Sequence, residues 1–506
     1  MVVATRRSLA WGCPLFLILV FLSTFILLQV EWDRLIDVSP SARMLGAEGC
    51  HPPFDSTAVG DSQPPAIPSP RRKHVVIASF FAFHFDVYMT LAWTLKRVLA
   101  QVSGAQIDVF AAPFYYGFEN IVQEYGLYDG VRREPAELVS FIQKNPTVDV
   151  VVLGTCEIDL NEVHAALLEE WDLRSPGEKF KLICMVHNVQ DTRWHHNIVH
   201  WSRREALRIV TLGEHVSKSY LGMFASTAET LVDGGQEYIS VDMHIPVLDV
   251  PNLPVKPANR SLSRAVIQGS FDASRRDYHN FFDQLINSLQ RNPKIWGYHP
   301  RGDHPSFVPN HESLDPPFEL ALVGSGSLEV PEELINVVSV HRGLDYADFY
   351  SLIAGMDIVV PAFADNGYYE HQASSTVAMA VELDVRTESL GGSAEALIVL
   401  QVPILATRRM RAAYGYIDDD RAVVTRPAAI SEVQALLALR SHSMRYIVEQ
   451  EADGAAGPAL PVGALVSDVR DMLRRGWVRD PSDLRRYKER LWRANEEVVR
   501  RLLADM

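Results

Sequence analysis

Residues 149–187 decide the fold class, and they run DVVVLGTCEIDLNEVHAALLEEWDLRSPGEKFKLICMVH. Residues 149–154 and 181–187 contain continuous apolar runs, and residues 161–171 between them have the apolar spacing of an amphipathic helix. A strand, a helix and a second strand, both strands apolar along their length, are typical of a parallel sheet that helices cover on both faces. This stretch therefore predicts an α/β fold.

The same alternation extends in both directions along the chain. Further strands of the first half are predicted at residues 74–79, 106–111 and 208–212, with a helix at 88–102. After a Pro-rich break at 246–257, the second half has predicted strands at 264–269, 318–323, 337–340, 357–360 and 402–406, with helices near 278–290, 346–355 and 374–383. We predict two Rossmann-like domains facing a cleft, at 73–250 and 262–480, and a C-terminal helix at 482–504.

The composition sets bounds on the class of protein. With 506 residues, 47% of them hydrophobic, the chain can bury two ordinary α/β domains. Its formal net charge of −15 argues against a protein that binds a phosphate backbone, so no nucleic-acid partner is expected. Four cysteines are too few for a disulfide scaffold.

The N-terminus has the pattern of a membrane anchor. Arg6 and Arg7 precede an apolar run at residues 9–30, which is long enough to span the ~30 Å core of a bilayer. A cleavable signal peptide is the alternative, but its apolar region is usually about 7–15 residues long and a small-residue cleavage site follows it. The arginines place residues 1–8 in the cytosol, so we expect a single-pass type II protein with a lumenal body.

Two further segments agree with a lumenal body. Residues 31–72 are rich in proline and cannot bury a core, so we predict a stem that holds the folded part away from the membrane. Asn259-Arg260-Ser261, next to the break between the halves, is an N-glycosylation sequon. Together these features predict a glycoprotein of the Golgi (or ER) membrane.

Several segments of the second half follow one another in a characteristic order. They are an apolar strand ending in a Gly-x-Gly turn, a strand leading into a glycine loop, a helix–strand–proline element, a glutamate and an Ala-Met-Ala helix, at residues 322–328, 337–343, 346–363, 370 and 378–380. In order and spacing over residues 264–407 they resemble the donor domain of GT-B glycosyltransferases, in particular the retaining glycosyltransferase family 4 (group 1). The first half is similar in architecture, with weak local similarity at residues 185–188.

The resemblance implies a glycosyltransferase of the hexosyl or pentosyl class. Such an enzyme moves a sugar from a nucleotide-diphosphate-sugar donor to a glycan, protein or lipid acceptor, here in the secretory pathway and with retention of configuration. It implies no cofactor, because the nucleotide sugar is a substrate and GT-B catalysis requires no metal. Two alternatives stay open: a catalytically inactive lumenal sugar-binding or scaffold protein, and a GT-B-like nucleotide-sugar epimerase.

Candidate contacts to the donor lie at the strand ends of the second half. Gly269 follows the first strand of this half, Arg275 and Arg276 come next, and Gly324 belongs to the Gly-x-Gly turn. Parallel sheets bind ligands at the carboxyl ends of their strands, and guanidinium groups bind phosphates well. The alternative for the two arginines is a solvated pair that opens a helix.

Three hydroxyl-bearing residues stand where a helix of the second half begins. Ser374, Ser375 and Thr376 offer hydroxyls and unpaired N–H groups aligned with the helix dipole, which suits a phosphate. A plain N-cap is the alternative. Their place in the family pattern favours contact with the donor phosphates.

The resemblance also assigns the candidate catalytic residues, Glu370 and His187. The family has two glutamates eight positions apart, one on the donor sugar and one on the ribose. Glu370 is one place from the first position and Val377 occupies the second, so recognition of the ribose departs from the family. The family often has a histidine near the position of His187 that touches the transferred sugar, and Asn188 is a candidate for the same contact. A buried structural histidine is the alternative.

The histidine and cysteine patterns predict no metal site. His196 and His200 have i,i+4 spacing, but no cysteine or acidic ligand accompanies them at zinc spacing. Cys156 and Cys184 lie near the ends of neighbouring predicted strands, where a disulfide and buried thiols are both possible. Cys50, in the predicted stem, could pair between chains.

Residues 385–401 interrupt the resemblance. Without them the sequence runs ELDVPILAT, which matches the passage from helix to strand in the family. We hypothesise that these residues come from an unspliced intron. The hypothesis predicts a messenger RNA that lacks their codons, and a transcript that retains them in every sequencing read contradicts it.

Overall fold

The computed structural model describes residues 73–231, 234–251, 253, 261–313, 315–383, 402–419, 423–451 and 481–504, all in one unit of the chain that spans residues 64–506. The predicted cytosolic tail, anchor and stem, the sequon at Asn259, Cys50 and residues 385–401 lie outside the described residues. Within the described ranges, no helix has both the length and the apolar content needed to cross a membrane.

The first half is built on a six-stranded parallel sheet. Its strands are β1 His74–Ser79, β2 Gln106–Ala111, β3 Val150–Leu153, β4 Lys181–Val186, β5 Leu207–Thr211 and β6 Ser240–Met243. They lie in the order β2-β1-β3-β4-β5-β6. Strands β1 and β3 are buried along their whole length, because helices cover both faces of the sheet. The helices are α1 Phe85–Leu99, α2 Phe118–Glu124, α3 Leu138–Lys144, α4 Cys156–Leu173, α5 His195–Ser202 and α6 Glu214–Thr230.

The second half repeats this construction. Its strands are β7 Arg264–Gln268, β8 Glu319–Gly324, β9 Val338–Arg342, β10 Ile358–Val359, β11 Ile404–Thr407 and β12 Val423–Arg426. They lie in the order β12-β11-β10-β7-β8-β9, which is the strand order of the dinucleotide-binding Rossmann fold. The helices are α7 Tyr278–Arg291, α8 Pro293–Trp296, α9 Tyr346–Ala354, α10 Gly367–Glu370, α11 Ser375–Glu382, α12 Arg408–Ala413, α13 Glu432–Glu451 and α14 Pro481–Ala504.

The prediction of two α/β halves with parallel sheets is confirmed. Strands β6 and β12, with the sequences SVDM and VVTR, were not predicted, because polar residues interrupt their apolar runs. Both are edge strands, which helices and neighbours bury less completely. Helix α4 begins at Cys156, five residues before the predicted segment, and its first turn contains Glu157 and Asp159.

One hydrophobic core joins the two halves. It contains buried residues of α1 and of the first sheet together with Tyr350 of α9, Val377 of α11 and Leu491 of α14. Apolar area that is buried on both sides of a boundary stabilises the two halves as one body. The cleft between the halves therefore has a continuous apolar base.

Helix α14 returns to the first half and packs on α1. The indoles of Trp93 and Trp492 meet edge to face with 5.4 Å between ring centroids, and Trp492 Nε1 donates to the carbonyl of Val247. The buried amide of Asn495 makes two backbone hydrogen bonds with Ile245: its Oδ1 accepts from the N–H at 2.9 Å and its Nδ2 donates to the carbonyl at 2.7 Å. These bonds fix the chain at the point where it leaves the first half.

We predict that Asn495→Ala destabilises the chain by about 1–3 kcal/mol, because it leaves the buried N–H of Ile245 without a partner, whereas the carbonyl of Ile245 keeps the N–H of Val247. The measurement is the urea midpoint of unfolding. Arg493→Ala on the exposed face of the same helix is the matched control and should change the midpoint little. Equal midpoints for the two variants would contradict the role of Asn495.

Candidate functional site

The two sheets direct their carboxyl ends at one cavity of about 440 Å³. In open parallel sheets a ligand crevice forms where the strand order reverses, because neighbouring loops then leave the sheet in opposite directions. That point lies between β1 and β3 in the first sheet and between β7 and β10 in the second. The loops after β1, β3 and β7 line the cavity, and so does Tyr368 in helix α10, which follows β10.

Nine of the predicted site residues line this cavity: His187, Asn188, Gly269, Arg275, Arg276, Gly324, Ser374, Ser375 and Thr376. Glu370 is the exception. Its carboxylate is about half exposed and pairs with Arg409, and it is not part of the cavity wall. The catalytic and binding roles of all these residues stay predictions.

Two glycines lie where the ends of β7 and β8 meet in the second-half wall. Gly269 has a φ of 137°, in the region that glycine alone adopts without strain. A Cβ on Gly324 would lie 1.7 Å from the carbonyl oxygen of Gly269, so the two loops meet backbone against backbone. Gly324 of the Gly-x-Gly pattern therefore allows the two backbone segments to approach closely, and neither glycine places a side chain over this part of the cavity wall.

The two neighbouring arginines have different environments. Arg276 is 4% exposed; its Nη2 donates to Thr376 Oγ1 at 3.0 Å and to the carbonyl of Gln268 at 3.2 Å. Its guanidinium also stacks over the rings of Phe363 and Tyr368. Arg276 therefore holds the end of β7 against the start of α11, a structural contact that the sequence did not predict.

Arg275 is exposed and anchored through one nitrogen. Its Nε donates to Tyr368 Oη at 2.9 Å, and among the described residues no carboxylate pairs with it. The two terminal nitrogens therefore remain available for an anion, and the guanidinium fork matches a phosphate. Of the two arginines, Arg275 is the better candidate for contact with a diphosphate.

The first turn of α11 contributes to the same wall. Ser374 is the N-cap residue, but its side chain makes no capping hydrogen bond. The hydroxyl of Thr376 is occupied, because it donates to Gln268 Oε1. The first N–H groups of a helix have no intrahelical partner and attract anions. The plain N-cap interpretation of Ser374 is therefore not supported by its hydrogen bonds.

The first-half wall contains a stacked pair of imidazoles. The rings of His84 and His187 lie 4.0 Å apart at 19°, His84 Nδ1 contacts Thr155 Oγ1 at 3.3 Å, and His187 Nε2 contacts the carbonyl of Gly154 at 3.2 Å. Burial, followed by the charges of His187 and Arg275, holds the pKa of His84 well below its usual range. His84 is therefore neutral near pH 7, so a ring nitrogen can accept a hydrogen bond.

Two acidic residues in the first turn of α4 hold the loops of this wall. One oxygen of Glu157 accepts from the N–H groups of His187 and Asn188, and Asp159 Oδ1 accepts from those of Phe80 and Phe81. The sequence analysis missed His84, Glu157 and Asp159. Acidic residues directly after a buried strand are typical of a helix N-terminus and could have indicated the last two.

A disulfide joins Cys156 at the start of α4 to Cys184 in β4, with 5.2 Å between the Cα atoms. The sequence left a disulfide and two buried thiols open for this pair, and the structure has the disulfide. It fixes the start of α4, and therefore Glu157, next to β4, which His187 directly follows.

Backbone hydrogen bonds close one side of the cavity. The N–H of Ala373 donates to the carbonyl of His187 at 3.0 Å, and the N–H of Val189 donates to that of His371 at 2.9 Å. The ring of His215 bridges to the carbonyls of Ala413 and Gln372. The loop after β4 and the segment before α11 thus form a short antiparallel contact between the halves.

No set of three His, Cys, Asp or Glu side chains in the described part of the chain is arranged to hold a metal ion. That a reaction here needs no metal or other cofactor stays a prediction.

The architecture is of the GT-B kind, with two Rossmann-like sheets that face one cleft. No family model and no curated protein matches the chain. Among solved structures it is similar to an α-glucosyltransferase in complex with UDP and a 13-mer DNA containing an HMU base, at 8% identity and TM-score 0.46, over 83% of this chain and 100% of that one.

Two further solved structures have a similar fold. They are a UDP-N-acetylglucosamine 2-epimerase from Rickettsia bellii (11% identity, 85% of this chain and 99% of that one, TM-score 0.37) and the glycosyltransferase SnogD from Streptomyces nogalater (12%, 75% and 95%, TM-score 0.32). Glycosyltransferases of the GT-B fold are thus among the structures to which the chain is similar. At these identities and TM-scores, no substrate or activity of this chain follows.

Next to the main cavity, a smaller cavity of about 200 Å³ is lined in part by Asp86 and Glu382. Glu382 ends α11, and its Oε1 accepts from the N–H of Leu248 at 2.9 Å. Burial raises the pKa of Glu382 to about 7, and the charge of Asp86 adds to the rise. This carboxyl group therefore opposes folding when it is ionised.

We predict that Glu382→Gln flattens the pH dependence of stability. The folded chain keeps a proton on Glu382 that the unfolded chain releases near pH 4.5, so the free energy of unfolding falls as pH rises from about 4.5 to about 7. Glutamine keeps the acceptor for Leu248 and cannot ionise. We expect the free energy of unfolding of the variant, measured by urea denaturation, to match that of the wild type at pH 4.5. At pH 8 it should be higher than that of the wild type by up to about 3 kcal/mol.

Glu497→Gln, on the exposed face of α14, is the control, and its profile should run parallel to the wild type. A parallel profile for Glu382→Gln as well would contradict a raised pKa at this carboxyl.

Proposed function

We propose that this protein is a glycosyltransferase that takes a sugar from a nucleotide-diphosphate-sugar donor. The observation that carries the proposal is the division of charge across the cleft. Among the described residues, the second-half wall of the 440 Å³ cavity contains Arg275 and Arg276 and no carboxylate. The first-half wall contains Asp86, Glu157 and Asp191 and neither lysine nor arginine. A diphosphate is attracted to the second half and repelled by the first.

The donor diphosphate would lie on the second-half wall. Gly269 and Gly324 allow close approach to the backbone, the first turn of α11 offers N–H groups, and Arg275 offers a free guanidinium fork. As the bond to the sugar breaks, negative charge develops on the departing diphosphate. Fixed donors and a cation aimed at that charge stabilise the transition state more than the ground state.

The transferred sugar would lie between the two walls, beside His187 and Asn188. His187 is held by its carbonyl contact to Gly154 and by stacking on His84, so its ring has a fixed position facing the cleft. A contact from Glu370 to the donor sugar requires that its pairing with Arg409 breaks when the donor binds. Retention of configuration remains a proposal from the family resemblance.

The proposed location is the lumen of the Golgi or ER, with the body held by an N-terminal type II anchor. The apolar run at residues 9–30 after Arg6 and Arg7 supports the anchor. The disulfide between Cys156 and Cys184 supports an oxidising compartment, since cytosolic proteins rarely keep such bonds. The acceptor would then be a glycan, protein or lipid of the secretory pathway.

The test is a thermal-shift titration of the purified chain with UDP-, GDP- and CMP-sugars and the free nucleotides. We predict that one nucleotide family raises the melting temperature and that Arg275→Ala weakens its binding by about 10–100-fold, because a charge-assisted hydrogen bond is lost. Arg291→Ala, an exposed arginine at the end of α7, is the matched control and should leave binding unchanged.

The remaining outcomes separate the alternatives. Transfer of the sugar to an acceptor, with release of the nucleoside diphosphate, supports a transferase, whereas binding without turnover identifies an inactive sugar-binding protein. Conversion of a UDP-sugar to its epimer identifies an epimerase. No shift with any nucleotide, in wild type and both variants, would contradict a donor site.

A further inference from the structure

A row of aromatic rings runs from the surface of the first half to the proposed catalytic histidine. In the order in which the rings contact one another, it consists of Tyr116, Tyr115, Phe83, Phe81, His84 and His187. Successive ring centroids lie 6.5, 6.2, 5.4, 4.9 and 4.0 Å apart. We call these six residues the aromatic row.

The outer end of the aromatic row is open to solvent. Phe83, Tyr115 and Tyr116 are 47%, 48% and 39% exposed, and Phe83 and Tyr116 also line the main cavity. Large aromatic side chains are normally buried, and an exposed cluster at the mouth of a cleft indicates a contact surface. Here the exposed rings are continuous with the rings inside the cleft.

The backbone holds this row in an unusual conformation. Tyr116 and His84 have φ values of 56° and 60°, which side chains of this size rarely adopt. The carbonyl of Tyr116 accepts a hydrogen bond from the N–H of Tyr346 in the second half at 2.8 Å. The fold rather than local preference therefore sets the backbone conformation of Tyr116 and His84.

Unpaired carboxylates stand beside the row. Asp86 and Glu157 line the cavity, and neither has a salt bridge to a lysine or arginine among the described residues. Glu157 is 3% exposed, and its Oε2 has no hydrogen-bond partner in the described part of the chain. A buried oxygen of this kind lacks a donor, and a ligand hydroxyl can supply one.

Rings and carboxylates together suit one class of ligand. The C–H groups on one face of a sugar ring pack on the electron-rich faces of aromatic rings, and its hydroxyls donate to carboxylates. A phosphorylated acceptor, such as a lipid phosphate, would be repelled by Asp86 and Glu157. Six rings offer more stacking surface than a single sugar ring can cover, which suits an oligosaccharide.

We propose that the aromatic row is the acceptor subsite and that the acceptor is a neutral oligosaccharide, whose terminal sugar reaches His187. This inference rests on the proposed transferase function and names its acceptor class. The outer sugars stack on Phe83 and Tyr115, and hydroxyls of the terminal sugar donate hydrogen bonds to Asp86 and Glu157. Peptide and lipid-phosphate acceptors are the competing occupants.

The experiment measures saturation-transfer NMR on the full-length chain with the nucleotide bound. The probes are neutral disaccharides of glucose, galactose, mannose and N-acetylglucosamine, the 6-phosphates of the same disaccharides, a short Ser/Thr peptide and an alkyl phosphate. We expect a neutral disaccharide to bind and its 6-phosphate to bind about tenfold more weakly. Asp86→Asn should reduce this difference in affinity between the neutral disaccharide and its 6-phosphate, because it removes a negative charge from the cavity wall.

Two independent variants test the row itself. Phe83→Ala and Tyr115→Ala should each weaken binding of the neutral disaccharide about tenfold, because each removes a stacking surface. Tyr238→Ala, which removes a 58% exposed ring outside the cavity, is the matched control and should change nothing. The nucleotide-induced thermal shift should persist in all three variants, which shows that they are folded.

The outcomes distinguish this inference from the proposed function. A nucleotide shift without binding of any neutral disaccharide, or with preferred binding of the peptide or the alkyl phosphate, overturns the acceptor subsite alone. Unchanged affinity in both Phe83→Ala and Tyr115→Ala also overturns it. Disaccharide binding that needs the row, in a chain that binds no nucleotide, supports the subsite and overturns the transferase.

Discussion

The cleft of this protein depends on the hydrogen bonds that the first turn of α4 makes with the surrounding loops. Asp159 accepts from the N–H groups of Phe80, Phe81 and Thr155, and Glu157 accepts from those of His187 and Asn188. Burial raises the pKa of Asp159 to about 7, and these backbone donors oppose the rise. The turn thereby gathers the loops after β1, β3 and β4 at one point, where the aromatic row and the proposed acceptor wall begin.

The second half is organised by a different kind of constraint, the close approach of backbone to backbone. Gly269 and Gly324 allow the ends of β7 and β8 to meet without side chains, and Arg276 ties the end of β7 to the start of α11. The shared core and α14 then hold the two halves as one body. One wall of the resulting cleft contains the arginines, together with glycines and helix N–H groups. The opposite wall contains the carboxylates and the aromatic rings.

Much of the second-half wall could be predicted from the sequence because its parts are short and local. A glycine after an apolar strand, arginines a few residues later and hydroxyls before a helix are each visible within a few residues, and all of them line the cavity. Glu370 was assigned by its offset from a family position, and its side chain pairs with Arg409 outside the cavity instead. The first-half wall was largely missed, since His84, Phe83 and Glu157 match no motif and come together only through the sheet order.

The sequence by itself determined the α/β class, the parallel sheets and the places where each strand ends. Apolar periodicity is a local property, and it survives in the chain whatever the tertiary arrangement. Only the tertiary structure decided which strand ends face each other and which of two adjacent arginines is free. It also decided that the carboxylates lie on one wall and the guanidinium groups on the other. Those features depend on contacts between residues far apart in the chain, and such pairings leave no pattern in a single sequence.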